Sequence, residues 1–251
     1  MTVTTSPTPD VARWQRYLLD RGIPPKAARD WSNLARKSIR IEPENDDEEG
    51  SQPGISRFYS TPQLIYGVPP ERDDVELDLL AQIDLDDVSS LGTGLPLPQS
   101  GVLQFYYDTA QQPAGFDPED RSGFLVRYVE DASAIPRNDP PGRPGVGLRF
   151  SPFENLPDYF QFLSRLNDIA DYAKEDIREF EMAIDDELLE AEYLDGHHLG
   201  GWPMIVQEPM ELECQLASNG IYCGNAESWQ SERAKNLAPG AEDWRLLLQL
   251  D

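Results

Sequence analysis

The residues best suited to chemistry fall in one short run, His197-His198-Leu199-Gly200-Gly201-Trp202-Pro203. These two histidines are the only ones in the chain, and imidazole is the side chain that exchanges a proton most readily near neutral pH. Adjacent histidines point in different directions, Gly200 and Gly201 let backbone approach a ligand closely, and Trp202 offers a stacking face. Such a run could receive a small molecule or a peptide. The plainer alternative is a shaped turn with His198 hydrogen-bonded into the fold, because Gly and Pro are foremost turn formers. Cys214 and Cys223 complete the soft metal ligands. Four ligands would match the number zinc takes, but no Cys-x-x-Cys spacing is present, and both thiols suit a strand core as small hydrophobes. No metal and no cofactor are expected. A Gly-x-Ser-x-Gly elbow is absent, and Gly92-Thr93-Gly94 runs into a proline-broken turn where a phosphate cradle would continue into Lys and a helix.

Carboxylates dominate what remains. Between Asp168 and Asp195 the chain carries twelve Asp/Glu against Lys174 and Arg178. Pairs at three- and four-residue spacing could hold a divalent cation, yet such runs more commonly mark a solvated helix face. Glu179, Asp186 and Glu190 from this stretch are the candidate contacts for a partner protein. The formal charge of −25 over 251 residues would repel phosphate backbones and anionic lipid headgroups, so neither nucleic acid nor a membrane is an expected partner. A basic protein is the electrostatically natural one, against the background that net charge also serves plain solubility. The charge is uneven: residues 1–40 hold eight Lys/Arg against three Asp, a net of +5 that leaves −30 on residues 41–251. The basic arm is expected to lie against the acidic body.

Two cysteines are too few for a disulfide-built fold, the first ten residues have neither a basic start nor an apolar run, and no stretch approaches the eighteen or so apolar residues of a membrane span. A cytoplasmic protein is expected.

These residues need elements to position them. Thr8 is expected to cap a helix from Pro9 that carries Val11, Trp14 and Leu18 and closes at Gly22, with a second helix after Pro24-Pro25. Residues 1–41 thus read as a helical hairpin, and 42–54, EPENDDEEGSQPG, as an acidic linker. Alternation of Leu79, Ala81, Ile83 and Leu85 predicts a strand, and Val102–Tyr107, Phe124–Val129 and Gly147–Phe150 predict three more. Helical periodicity over about 157–195 predicts an acidic helical insertion. Strict alternation of Met210, Leu212, Cys214 and Leu216, followed by Asn219-Gly220, predicts a hairpin. In that register Cys214 and Cys223 are diagonal neighbours about 7–8 Å apart, too far for an unstrained disulfide.

Two segments echo each other, Leu79-Leu80-Ala81-Gln82-Ile83-Asp84 and Leu246-Leu247-Leu248-Gln249-Leu250-Asp251, and upstream Ser56–Pro62 echoes His197–Pro203. A duplicated β unit follows, with Gln82, Gln249 and the loop of His197, His198, Gly200, Gly201 and Trp202 as candidate ligand contacts between the copies.

Leu80–Ile83, Gly101–Tyr107, Gly115-Phe116-Asp117-Pro118, His198–Gly201, Glu213–Leu216, and the blocks Gly220–Gly224 and Asp243–Gln249 resemble the YwqG-like family of uncharacterised bacterial proteins. The likeness spans residues 55–251. It implies a mainly β (α+β), duplicated β-roll-like domain with the acidic helical insertion, and no established reaction. Tyr59-Ser60 stands where the family shows Gly-Gly. The family also continues past the second Leu-x-Gln-x-Asp strand, so the C-terminus is expected to be truncated relative to the fold. The function expected is a noncatalytic binding or interaction module for a basic partner, for instance a toxin that it neutralises. The alternative is a hydrolase or small-ligand enzyme with a carboxylate and histidine pocket between the repeats.

Overall fold

The computed structural model describes residues 8–44, 55–59, 71–72, 75–92, 94–135, 145–158, 161–163, 196–205 and 210–251. The acidic stretch containing Glu179, Asp186 and Glu190 lies outside them, as do most of the 42–54 segment and of the 157–195 helices.

Among the described residues an antiparallel eight-stranded sheet organises the fold. In chain order its members are β1 (Arg36–Pro43), β2 (Arg57–Phe58), β5 (Asp78–Asp84), β6 (Val102–Tyr107), β7 (Phe124–Val129), β8 (Val146–Asn155), β9 (His198–Gly200) and β10 (Leu248–Gln249). The order across the sheet is β10-β9-β1-β8-β2-β5-β6-β7. A separate two-stranded ribbon joins β3 (Glu71–Arg72) to β4 (Val75–Glu76). With α1 (Val11–Asp20) and α2 (Pro25–Ser32), the fold is mainly β with helices attached.

One face of the sheet is an aliphatic core. Ile39, Ile41, Ala81, Ile83, Leu103, Leu148 and Leu199 meet there, closed by Leu85 and Val88 of the short helix α3 (Leu85–Val88). The expected alternation through Leu79 is interrupted by a bulge between Leu79 and Ala81. The bulge shifts the pleat, so Leu79 joins Tyr59, Leu77 and Tyr106 in a different cluster while Ala81 and Ile83 stay with the aliphatic one.

Three local expectations change. Asp10, not Thr8, caps α1, its carboxylate accepting from the N–H of Arg13 at 2.9 Å. Residues 36–41 are strand, not the end of a helical hairpin: β1 pairs with β8 along its whole length and with β9 on the other side, because Ile39 and Ile41 bury on alternate positions. Met210–Ser218 is a helix, designated α4, not a strand. Leu212 and Leu216 are four residues apart as well as evenly spaced, so the same run satisfies a helical stripe, and Gly220, at φ +78°, ends the helix instead of turning a hairpin. The predicted cross-strand placement of Cys214 and Cys223 therefore does not arise, although both are free thiols.

The helical hairpin is fastened through Glu154, which lies opposite Lys37 in the β1–β8 register. Its carboxylate accepts from Asp10 N at 3.1 Å, Arg13 Nη2 at 3.2 Å, Trp14 Nε1 at 3.2 Å and Lys37 Nζ. Trp31 completes the attachment, donating to the Pro157 carbonyl at 2.8 Å and stacking on Phe162. Burial pushes the Glu154 carboxyl up, but the Lys37 and Asp10 hydrogen bonds and the charges of Lys37 and Arg13 outweigh it and hold the group below its ordinary range. A depressed carboxyl contributes stability that is present at neutral pH and lost as pH falls through the folded-state value. Glu154→Gln should cost about 2 kcal/mol in denaturant unfolding at pH 7, with the difference from the parent shrinking below about pH 4.

Candidate functional site

The histidine-glycine run is built into the sheet. Its first part is β9, held between β1 and β10, with Leu199 in the aliphatic core. His198 is 2% exposed. Its Nδ1 lies 3.0 Å from the Gly196 carbonyl and its Nε2 3.1 Å from the Trp202 carbonyl. Both ring nitrogens therefore face acceptors; a neutral imidazole can donate to one of them and an imidazolium to both. Asn155 grips the Trp202 residue from both sides, donating Nδ2–H to its carbonyl at 2.8 Å and accepting from its N–H at 2.9 Å. Gly201, at φ +77°, passes so near that a Cβ there would stand 2.6 Å from Asn155 Oδ1. Trp202 is itself buried. Its indole N–H donates to the Leu34 carbonyl and the Arg36 guanidinium lies 3.2 Å over its ring.

His197 is half-buried, edge-on to Phe58, and its Nδ1 accepts from the Asp251 N–H at 2.9 Å. Burial lowers its pKa, the Asp251 charge pulls the other way, and His198 adds to the lowering. Gln249 lies directly opposite His198 and its Oε1 accepts from Met204 N at 2.8 Å. Gln82 is elsewhere. It donates to the Ile55 carbonyl and accepts from Gln104, which in turn accepts from the Tyr106 hydroxyl. The strands β1, β8 and β2 separate β9 from β5, a distance of about 19 Å at four strand spacings. The structure thus brings His197, His198, Gly200, Gly201, Trp202 and Gln249 together, leaves Gln82 apart, and gives internal partners to both ring nitrogens of His198, the Trp202 indole N–H, His197 Nδ1 and Gln249 Oε1.

An open cleft forms in a different part of the chain. After α4, the backbone turns through Gly220, and the Ile221 N–H returns to the Leu216 carbonyl at 3.0 Å. Leu216, Ala217, Ile221, Cys223 and Ala234 make a small core under this turn. Asn225 then caps α5 (Ala226–Gln230) through the Ser228 N–H, and Ser231 caps α6 (Glu232–Leu237) through the Ala234 N–H. The Cys223 N–H donates to the Phe116 carbonyl at 2.8 Å, tying the turn to the loop before the 3₁₀ segment Pro118–Gly123.

Between these pieces lies a space of about 670 Å³ lined by Phe116, Glu213, Tyr222, Cys223 and Trp229, among others. Phe116 and Tyr222 meet edge to face at 5.7 Å. Trp229 is oriented by its indole N–H, which donates to the Cys223 carbonyl at 2.6 Å. Gly224 lets the Tyr222 ring fold back over it, since a Cβ would come within 2.2 Å of the Tyr222 hydroxyl. Burial raises the Glu213 carboxyl above its ordinary value. Cys214 is pushed up to about 11 by burial first and by Glu213 and Glu211 second, and burial raises Cys223 as well. Both thiols are therefore protonated at neutral pH and are poor nucleophiles. What the cleft does offer is aromatic surface next to an incompletely hydrated carboxyl, a combination that favours an organic cation.

No sequence periodicity pointed to this cleft, because three separate segments supply its walls. The signal present was of another kind: Gly115–Pro118, Glu213–Leu216 and Gly220–Gly224 are among the blocks that carry the family resemblance. Among the described residues there is no group of three or more His, Cys, Asp or Glu arranged to hold a metal, and no helix long and apolar enough to cross a membrane.

A carboxyl whose folded-state pKa is raised contributes stability in acid that is lost as pH rises through that value. Glu213→Gln removes the neutral-pH penalty, so its thermal midpoint should exceed that of the parent at pH 7, and the gap should close as pH falls toward about 4.

Residues 56–251 match the family model described as a domain of unknown function (DUF1963). No curated protein matches the chain.

Proposed function

Starting from a chain that belongs to the DUF1963 family, we propose that the protein is a noncatalytic interaction module for a basic protein, and that the cleft walled by Phe116, Tyr222 and Trp229 receives an Arg or Lys side chain of that partner. The observation that carries this reading is Glu213, a desolvated carboxyl among aromatic rings. An unpaired carboxylate there is held at a cost that an incoming cation would relieve, and each ring face adds electrostatic attraction of about 0.5–2 kcal/mol. The net charge of −25 would draw a basic partner in from a distance and raise the association rate. A cationic toxin that the protein neutralises is one such partner. Contacts from Glu179, Asp186 and Glu190 belong to the same reading.

The finer architecture we propose is that of the YwqG-like proteins, a duplicated β-roll-like unit with the acidic insertion near 157–195. Equal registers support the duplication: Arg57 faces Gln82 and Phe58 faces Ala81, while His198 faces Gln249 and Leu199 faces Leu248. These are the residue pairs that the sequence echo equates. Cytoplasmic residence also belongs to this reading, supported by the two free thiols.

Acetyl-arginine amide, titrated into the full chain while the indole N–H resonances are followed by NMR, should perturb Trp229. Trp229→Ala and Glu213→Gln should each weaken binding about five- to tenfold. Affinity should rise with pH as Glu213 ionises. A neutral probe such as acetyl-norleucine amide that binds equally well, or variants that leave the arginine probe unaffected, would overturn the proposal.

A further inference from the structure

A cation entering the cleft between Phe116, Tyr222 and Trp229 meets ring surface and one carboxyl, and three acceptors that border the rings are already engaged. The Phe116 carbonyl accepts from the Cys223 N–H at 2.8 Å, the Cys223 carbonyl from the Trp229 indole N–H at 2.6 Å, and Asn225 Oδ1 from the Ser228 N–H at 2.9 Å. Trp229 has spent its one donor in this way, so what it adds to the lining is its ring. Burial alone raises the Glu213 carboxyl, and no neighbouring donor pulls it back. The Cys223 thiol, protonated at neutral pH, adds no charge.

The rings are placed before any ligand arrives. Phe116 and Tyr222 stand at 75° to each other, which makes a corner and not a flat stack. The Tyr222 ring lies where a Cβ on residue 224 would be 2.2 Å from its hydroxyl, so the corner depends on Gly224. Main-chain and indole hydrogen bonds hold the segments that carry all three rings. Phe116 and Tyr222 nevertheless remain 36% and 42% exposed, open toward a space of about 670 Å³ that is ample for a bulky head group. Such preorganisation spares a ligand the cost of ordering its site.

A guanidinium and a primary ammonium both carry several N–H donors. Pressing either onto the rings takes those donors out of water, the engaged acceptors compensate only part of the loss, and each donor left unpartnered carries a penalty. A quaternary ammonium has no N–H to satisfy. Its charge is spread over methyl groups that are themselves apolar, so it gains ring contact and cation–π attraction without giving up hydrogen bonds to water. Glu213 then contributes charge without needing a donor. We infer, resting on the reading of this cleft as a cation site, that its preferred occupant is a quaternary ammonium group, such as a trimethylated lysine side chain of a basic partner.

Acetyl-trimethyllysine amide, acetyl-lysine amide and acetyl-arginine amide, each titrated into the full chain with the Trp229 indole N–H followed by NMR, test this. The trimethylated probe should bind at least about tenfold more tightly than either of the others. Its uncharged counterpart, with tert-butyl in place of trimethylammonium, should bind at least about tenfold more weakly than the charged form. Phe116→Leu and Tyr222→Leu keep apolar bulk and remove a π-face, so each should weaken the trimethylated probe about threefold or more and change the tert-butyl probe little. Thermal midpoints show whether these variants fold, and the ranking of probes in the parent chain stands without them. Choline separates two sources of the same group: weaker binding than the trimethyllysine probe assigns it to a side chain, stronger binding to a free solute. Arginine or lysine probes that bind as tightly as the trimethylated one would overturn this inference and leave the cation site standing. Binding by none of the cations, or equal binding of the tert-butyl probe, would overturn both.

Discussion

Glu154 and Asn155 are consecutive residues at the end of β8, and strand geometry points their side chains to opposite faces of the sheet. Each is a junction. Glu154 gathers donors from α1 and β1 and so fastens the N-terminal hairpin. Asn155 holds both the N–H and the carbonyl of Trp202, which fixes the path of the chain leaving β9. The pairing of β1 with β8 from Arg36↔Asn155 to Pro43↔Leu148 sets the position of both. Segments from the start, the middle and the end of the chain are joined at this one place.

That constraint shapes what the chain has left for binding. The residues most suggestive of chemistry, His198 and Trp202, are committed to holding β9 against β1 and β8; their hydrogen-bonding atoms face backbone carbonyls. The open cleft lies instead over the small satellite core of α4 to α6, where Glu213 has lost part of its water without gaining a hydrogen bond that lowers its pKa. Rigid structure around the histidines and an unsatisfied carboxyl near Trp229 are two sides of one division of labour between sheet and helices.

Two strands are legible as runs of β-branched and aromatic residues: Val102–Tyr107 and Phe124–Val129 coincide with β6 and β7. Reading failed where one pattern fits two periods. Leu212 and Leu216 satisfy both a strand and a helix, and Asn219-Gly220 serves as a helix end as well as it would a hairpin. In β1, the flanking basic residues masked the alternation of Ile39 and Ile41. Periodicity carries no sign of the cleft, since Phe116 and Tyr222 meet across segments far apart in the chain, joined also by the Cys223-to-Phe116 backbone hydrogen bond, and such a contact has no local signature.

Native-state hydrogen exchange on Asn155→Asp tests whether Asn155 locks β9 and the Trp202 turn as structure. The substitution keeps the shape of the side chain but replaces its N–H donor with an acceptor facing the Trp202 carbonyl, a loss of about 2 kcal/mol or more for a buried pair. Exchange at the amides of His198 through Trp202 should accelerate by roughly thirtyfold or more, while those of α4 around Glu213 keep their protection. Unchanged protection at His198–Trp202, or equal loss in α4, would mean that Asn155 is not the lock.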